Sequence, residues 1–295
     1  MGMTETADGS SARVEIAAAC RDADSLPKVK GAGETFGEHN QFQRMHNGLV
    51  IRRGVYHGDW MTEVIRRLRG HHEPQEEKVF AAVLDYLPES ATMIELGSFW
   101  GYYSMWFHQR VQQPRCILVE PIAENLTAGE EHFRLNHMNG TFIRAFVGRE
   151  SRPDAEFLNW DGSRFRLPMV SVDGLMRERA LETIDVLHTD VQGAEFDMLL
   201  GAERALAAWR IGYLFISTHG CEHGRCLKHL RARDYEILAS HTVLESYSGD
   251  GLIAARSPKL LGPPPVKISR RPASLWQQWR YRVACLKRYL WQAHT

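Results

Sequence analysis

The chain has 295 residues, 36 basic against 36 acidic, with 44% hydrophobic content. That balance points to neither nucleic acid nor an acidic surface as a specific partner. No apolar run approaches the roughly 20 residues that span a bilayer, and the N-terminus lacks a signal-type apolar core. A cytoplasmic protein is expected, in which Cys20, Cys116, Cys221, Cys226 and Cys285 stay reduced.

Residues 1–35, rich in Gly, Ala, Ser, Thr and Asp, read as a flexible lead-in, with at most a short helix over Arg13 to Cys20. Residues 36–72 carry a strand at Leu49–Ile51 and a short helix from Trp60 to Leu68, an addition of the kind that caps a ligand site. His57 and Asp59 read as surface residues of that cap. The organised domain, residues 73–258, starts at Pro74, a first-turn proline among acids. Val79, Phe80, Val83, Leu84 and Leu87 then give an apolar face at helical spacing.

Strands are expected at Met93–Leu96, Cys116–Glu120, Thr141–Val147, Ile184–Asp190, Tyr213–His219, Tyr235–Ser240 and Leu252–Arg256. Helices separate the earlier ones, including Tyr103–Val111, Ile122–Asn136 and Phe196–Trp209, and a polar irregular stretch holds short strands near Phe157 and Phe165. This alternation predicts an α/β fold, a doubly wound, mostly parallel seven-stranded sheet with an antiparallel hairpin at one edge.

In such a sheet the ligand lies beyond the carboxyl ends of the strands, where Gly97, Glu120, Asp190 and His219 fall. Glu95, Gly97 and Gly101 form an acid-x-Gly-x-x-x-Gly turn from strand to helix, whose glycines let a backbone pass close to a ligand. The spacing is not the G-x-G-x-x-G of a dinucleotide site, so a nicotinamide oxidoreductase on the same sheet is the weaker alternative. Glu120 ends the second strand, where an acid accepts hydrogen bonds from two ribose hydroxyls.

Glu95-Leu-Gly-Ser-Phe-Trp-Gly101, Val119-Glu-Pro121 and Asp190-Val-Gln-Gly-Ala-Glu195 together resemble the FkbM family of S-adenosylmethionine-dependent methyltransferases. Val172-Asp173, Leu199-Leu-Gly-Ala202 and Ser248-Gly-Asp-Gly-Leu-Ile253 extend the resemblance to Arg256. It implies a Rossmann-like class I methyltransferase that binds S-adenosylmethionine through Glu95, Gly97, Ser98, Phe99, Gly101, Tyr102, Glu120, Pro121, Asp190 and Val191. It also implies O-methylation of a sugar, glycolipid or small natural product. Phe99 and Trp100 depart from the smaller or polar residues commoner in that loop.

For the base, His219 titrates near neutral pH, with Asp190 to orient it and His188 on the same strand face as Asp190. His188 also reads as an ordinary core histidine. Asp190 and Glu195 form a candidate carboxylate pair for Mg²⁺. The stretch His219-Gly-Cys221-Glu-His223-Gly-Arg-Cys226-Leu-Lys-His229 lacks paired C-x-x-C units and reads as a loop and helix start rather than a zinc site. A non-catalytic cofactor-binding protein stays open.

Residues 259–295 form a Pro-rich linker and a helix. Ser274 caps it, and Trp276, Trp279, Val283, Leu286 and Leu290 make a stripe among basic residues. Such a helix lies on an anionic membrane surface, packs on a partner, or docks on its own domain or a second subunit.

Overall fold

The computed structural model describes residues 7–159 and 162–292. The lead-in, expected to be mobile, carries helix α1 (Ala7–Ala18). Val14 and Ala17 are buried in the same core as Val64 and Ile65 of α2 (Asp59–Arg67), and Glu15 pairs with Arg67. Two inward apolar residues one turn apart suffice to hold the segment down. Between these helices lies a small antiparallel sheet of β1 (Thr35–Phe36), β2 (Phe42–Arg44) and β3 (Val50–Arg52).

Helix α3 (Pro74–Leu84) begins with proline at its first turn and acids beside it, as read from the sequence. There follow β4 (Thr92–Leu96), α4 (Tyr102–Arg110), β5 (Arg115–Val119), α5 (Ala123–Leu135) and β6 (Thr141–Ile143). The third expected strand divides here. Only Thr141–Ile143 joins the main sheet, while β7 (Phe146–Val147) pairs with a hairpin of β8 (Arg152–Leu158) and β9 (Arg164–Val170).

Helix α6 (Val172–Glu178) leads to β10 (Ile184–Thr189), and α7 (Glu195–Leu200) and α8 (Glu203–Ala207) replace the single helix expected there. The break has a local cause. Gly201 packs so close that a Cβ would lie 2.4 Å from the Gly148 carbonyl oxygen, and the Asp173 carboxylate accepts from the Arg204 and Ala205 amides, both at 2.9 Å. A carboxylate on free amides caps a new helix start. The chain ends its sheet with β11 (Ile211–Thr218), α9 (Glu222–Arg231), β12 (Glu236–His241) and β13 (Gly251–Arg256), before α10 (Leu275–Gln292).

The main sheet runs β12-β13-β11-β10-β4-β5-β6. The five strands from β11 to β6 are parallel, and β13 is antiparallel to both β11 and β12. The hairpin is therefore antiparallel as expected, with its second strand inserted inside the edge. Every residue of β4 and β11 is buried, as central parallel strands covered on both faces require. One face packs on α3, α4, α5 and the N-terminal cap, the other on α6 to α9.

A buried polar cluster joins the cap to α3. Glu77 receives His71 Nδ1 and the amides of His72 and Glu73, and His46 stacks on His71 at 4.1 Å with its Nε2 4.0 Å from Glu77. Among the described residues, His46, His71 and Glu77 are the group of metal-ligand type, with one ligand atom of each within 4.8 Å of the others. Burial holds His46 down to about 4, and likewise His223, which sits between the Thr218 and Ser240 hydroxyls. Their ordinary value is 6.5, so the unfolded chain takes up protons first as pH falls. Stability contributed by these two neutral rings is present above 6.5 and lost toward 4. The thermal midpoint is expected to drop across that window, and His223→Gln to flatten the slope; an equal slope in the variant would clear His223 of the effect.

Candidate active site at the strand ends

The parallel registers bring the carboxyl ends of β4, β5 and β10 side by side. Gly97 and Ser98 amides donate to the Val119 carbonyl at 2.8 and 3.1 Å, and the Asp190 amide donates to Leu96 at 2.9 Å. Gly97 has φ +71°, and a Cβ there would sit 1.9 Å from the Asp190 carbonyl oxygen. Gly101, also at φ +71°, would drive a Cβ to 3.0 Å from Leu118. Only glycine fits this turn at either end.

Glu120 is buried beneath the turn. Its carboxylate accepts from the Phe99 amide at 3.0 Å and the Ile122 amide at 2.9 Å, and burial raises its pKa against those bonds. Oε2 thus steadies the glycine loop and keeps a further lone pair for a hydroxyl, while Oε1 also takes Asn125 Nδ2 at 3.4 Å. Pro121 adjoins it, its carbonyl taking Arg144 Nε at 3.4 Å, and Val191 lies beside Gly97. Two expected cofactor residues lie deeper. Glu95 accepts from the Ser104 amide at 3.1 Å in the interior, and Tyr102 is fully enclosed, stacked on Trp100 at 5.2 Å. Acidic and aromatic residues at the turn carry no mark in sequence of which side of the loop they face.

His188 is a correction of the same kind. It shares a strand face with Asp190, but its ring stacks on Tyr103 at 4.2 Å, with Nε2 3.0 Å from Glu76 and Nδ1 3.9 Å from Glu95. Enclosed between α3, β4 and β10, it sits as a core histidine beside buried acids.

His219, just past β11, is the centre of a polar constellation. Its Nδ1 lies 2.6 Å from Glu195, and its Nε2 lies 3.1 Å from Asp250 and 3.5 Å from Asp190. Gln192 Nε2 donates to Asp190 Oδ1 at 2.9 Å, and the Gln192 side chain lies 2.9 Å from His219 Nε2. Burial pulls the imidazole pKa down, but the bonds to Asp250 and Glu195 and the charge of Asp190 outweigh it and lift the group to about 11. The acids around it favour the protonated imidazole, which speaks against His219 as a base near neutrality. Asp190 moves the other way: burial raises it to about 7, against the pull of His219 and with the repulsion of Asp250 and Glu73. Burial thus favours the protonated form of the Asp190 carboxyl, while the acids around His219 favour the protonated imidazole.

The Mg²⁺ reading of Asp190 and Glu195 meets the same geometry. The His219 ring stands between the two acids, and Glu195 is buried, its Oε1 already receiving the Gly193 amide at 2.8 Å. They do not form a shared oxygen cage, so no metal is assigned to them. The zinc-like stretch also disperses: His223 bonds Thr218, Cys226 is a buried thiol, and Cys221 forms a disulfide with Cys285. That bridge overturns the expectation that all five cysteines stay reduced.

Two contributors went unread in the sequence. Asp250 reaches His219 because antiparallel β13 starts opposite the end of β11, with Gly251 facing Thr218. The Ser248–Ile253 hairpin was part of the family resemblance, but its acid carried no sign of its destination. Tyr56, from the cap, stacks on Trp100 at 4.6 Å and 9° and touches Phe99 at 5.2 Å. Its phenol is raised well above the usual value by burial and by Glu73, Asp190 and Asp250, which sets it on the acidic cluster. Phe99 holds a left-handed φ of 42° to reach this stack. His57 and Asp59 are exposed, as read.

Residues 73–237, more than half of the chain, match the family described as Methyltransferase FkbM domain. The chain belongs to the FkbM methyltransferase family. No curated protein matches it. Similar solved structures include M. capricolum TrmK in complex with S-adenosyl-homocysteine, at 11% identity and TM-score 0.41, covering 68% of this chain and 73% of that one. Ribosomal protein L11 methylase from Lactobacillus delbrueckii subsp. bulgaricus is similar at 10% identity and TM-score 0.42, covering 63% and 80%. Aeropyrum pernix fibrillarin in complex with natively bound S-adenosyl-L-methionine is similar at 18% and 0.37, covering 60% and 74%. In this FkbM methyltransferase the family stretches map onto the site: Gly97–Gly101 is the turn, Glu120 braces it, and Asp190 with Glu195 enclose His219.

Proposed function

We propose that the chain transfers a methyl group from S-adenosylmethionine to a hydroxyl oxygen of a sugar, glycolipid or small natural product. The observation that carries this reading is the strand-end cluster, in which Asp190, Asp250 and Glu195 surround the His219 imidazole. Acids outnumber the imidazole there, which suits a positively charged ligand, and the carboxyl that titrates near neutrality is the one beside the glycine turn.

When bound, S-adenosylmethionine supplies an electrophilic methyl on a sulfonium. The backbone from Gly97 to Gly101 would hold its methionine part and Glu120 its ribose hydroxyls. Asp190, once ionised, accepts the proton of the acceptor hydroxyl at a carboxylate oxygen. His219, fixed by Glu195 and Asp250, keeps its own proton and offsets the negative charge that builds on the acceptor oxygen. Glu195 acts as a positioning residue, holding the imidazole through Nδ1. Tyr56, Phe99 and Trp100 stack against one another beside the glycine turn, and flat apolar rings of this kind would suit a sugar or polyketide face.

The direct test incubates the protein with S-adenosylmethionine and panels of hydroxyl-bearing and amine-bearing acceptors, and locates the added methyl by mass spectrometry. Methyl on oxygen is expected. Transfer confined to nitrogen would overturn the acceptor class while leaving methyl transfer in place.

A further inference from the structure

Helix α10 docks on the domain by the face opposite to the one its sequence would bury. The contacts come from Tyr281, whose hydroxyl donates to the Gly220 carbonyl at 2.9 Å, and from Cys285, four residues on and disulfide-bonded to Cys221. Residues four apart share a helix face. The apolar stripe lies on the far side. Leu275 is 84% exposed, Trp276 61%, Trp279 62% and Leu286 59%. No helix among the described residues is long and apolar enough to cross a membrane, so the stripe belongs to a surface element. Ser274 completes the helix start, accepting the Gln277 amide at 3.2 Å and donating its own to Gln277 Oε1 at 2.8 Å.

The charge along this end of the chain has one sign, although Arg256 and Arg270 pair with Glu236 and Glu245 of the domain. From Gly251 to the end the sequence contains Arg256, Lys259, Lys267, Arg270, Arg271, Arg280, Arg282, Lys287 and Arg288, and no Asp or Glu. On the helix itself, Arg280 and Arg282 fall on the two flanks of the stripe, and the Arg280 guanidinium lies 4.6 Å from the Trp276 ring. We propose that α10 is a membrane-surface helix, which seats Leu275, Trp276, Trp279 and Leu286 in the interface of an anionic bilayer with the arginines among the headgroups. Exposed tryptophans flanked by cations are the composition of such helices, and each basic residue near an anionic surface adds to the attraction. A second copy of the chain is disfavoured as occupant, because joining two stripes would bring cations together with no acid on either helix. The tether to Cys221, two residues beyond His219, would hold the strand-end site beside the bilayer.

The test is co-sedimentation of the full chain, disulfide intact, with phosphatidylglycerol-containing and with pure phosphatidylcholine vesicles. Binding to the first and not the second, weakened by salt, with a blue-shifted tryptophan emission, is expected. The double variant Trp276→Ala, Trp279→Ala should lose about tenfold or more in partition, since two large rings leave the interface. Its thermal midpoint should match the wild type, because both rings are outside the fold's core. No binding to anionic vesicles at low salt would overturn the proposal. So would undiminished binding by the double variant, or a stripe-dependent dimer in light scattering without vesicle binding.

Discussion

Asp190→Asn is expected to lower the rate of methyl transfer by about 10²–10⁴-fold, the usual contribution of a positioned base. The amide fills the same space and can still meet Gln192, so binding of S-adenosylhomocysteine should change little beside that loss. The pH profile separates a base from a mere contact. With the Asp190 carboxyl at about 7, the wild-type rate should climb as pH rises through that value, because the acid form cannot accept a proton. In Asp190→Asn that limb should disappear. His219→Ala removes the cation that lowers Asp190, so the limb should move to higher pH. If Asp190→Asn retains both the rate and the limb, the base lies elsewhere.

Gly97→Ala is expected to be the most disruptive single methyl in the domain. The new Cβ would fall 1.9 Å from the Asp190 carbonyl oxygen and 2.8 Å from its carbon, and both atoms are backbone. Relief requires β4 and β10 to part at their ends, against the 2.9 Å bond from the Asp190 amide to Leu96. Left-handed backbone for alanine and the overpacking together cost about 2–5 kcal/mol. Denaturant melts should show that loss, and calorimetry a loss of S-adenosylhomocysteine binding. Gly193→Ala is the control: φ is also positive there, at +105°, but nothing lies within 4 Å of the added Cβ, so only the backbone strain should appear. Equal stability of Gly97→Ala and wild type would show that the two strand ends are not locked together.

The sheet was legible because buried parallel strands are written as apolar runs, and all seven were found within a few residues. What ended them was less legible. The Gly201 break between α7 and α8 depends on Gly148 and Asp173, which are distant in sequence, and α1 depends on a partner helix some fifty residues on. In the site, Gly97, Glu120, Asp190 and His219 could be read because strand ends converge by topology. Their roles could not, because protonation follows from neighbours that only the fold assembles. Glu195 and Asp250 close on His219 and raise its pKa above the ordinary range of an imidazole. Burial raises the Asp190 carboxyl above the ordinary range of an aspartate. Tyr56 was hidden in a cap whose sequence has no periodicity to say which ring turns inward. The disulfide was missed because odd, scattered cysteines at a separation of 64 residues give no pairing signal.

The most direct measurement is isothermal calorimetry of the purified chain with S-adenosylhomocysteine and, in parallel, with NADH. The glycine turn lacks the dinucleotide spacing, Glu120 braces that turn, and the acidic cluster favours a cationic amine. Saturable one-to-one binding of S-adenosylhomocysteine is expected, abolished in Gly97→Ala and largely kept in Asp190→Asn, with no heat from NADH. Tight binding of NADH and none of S-adenosylhomocysteine would contradict the account.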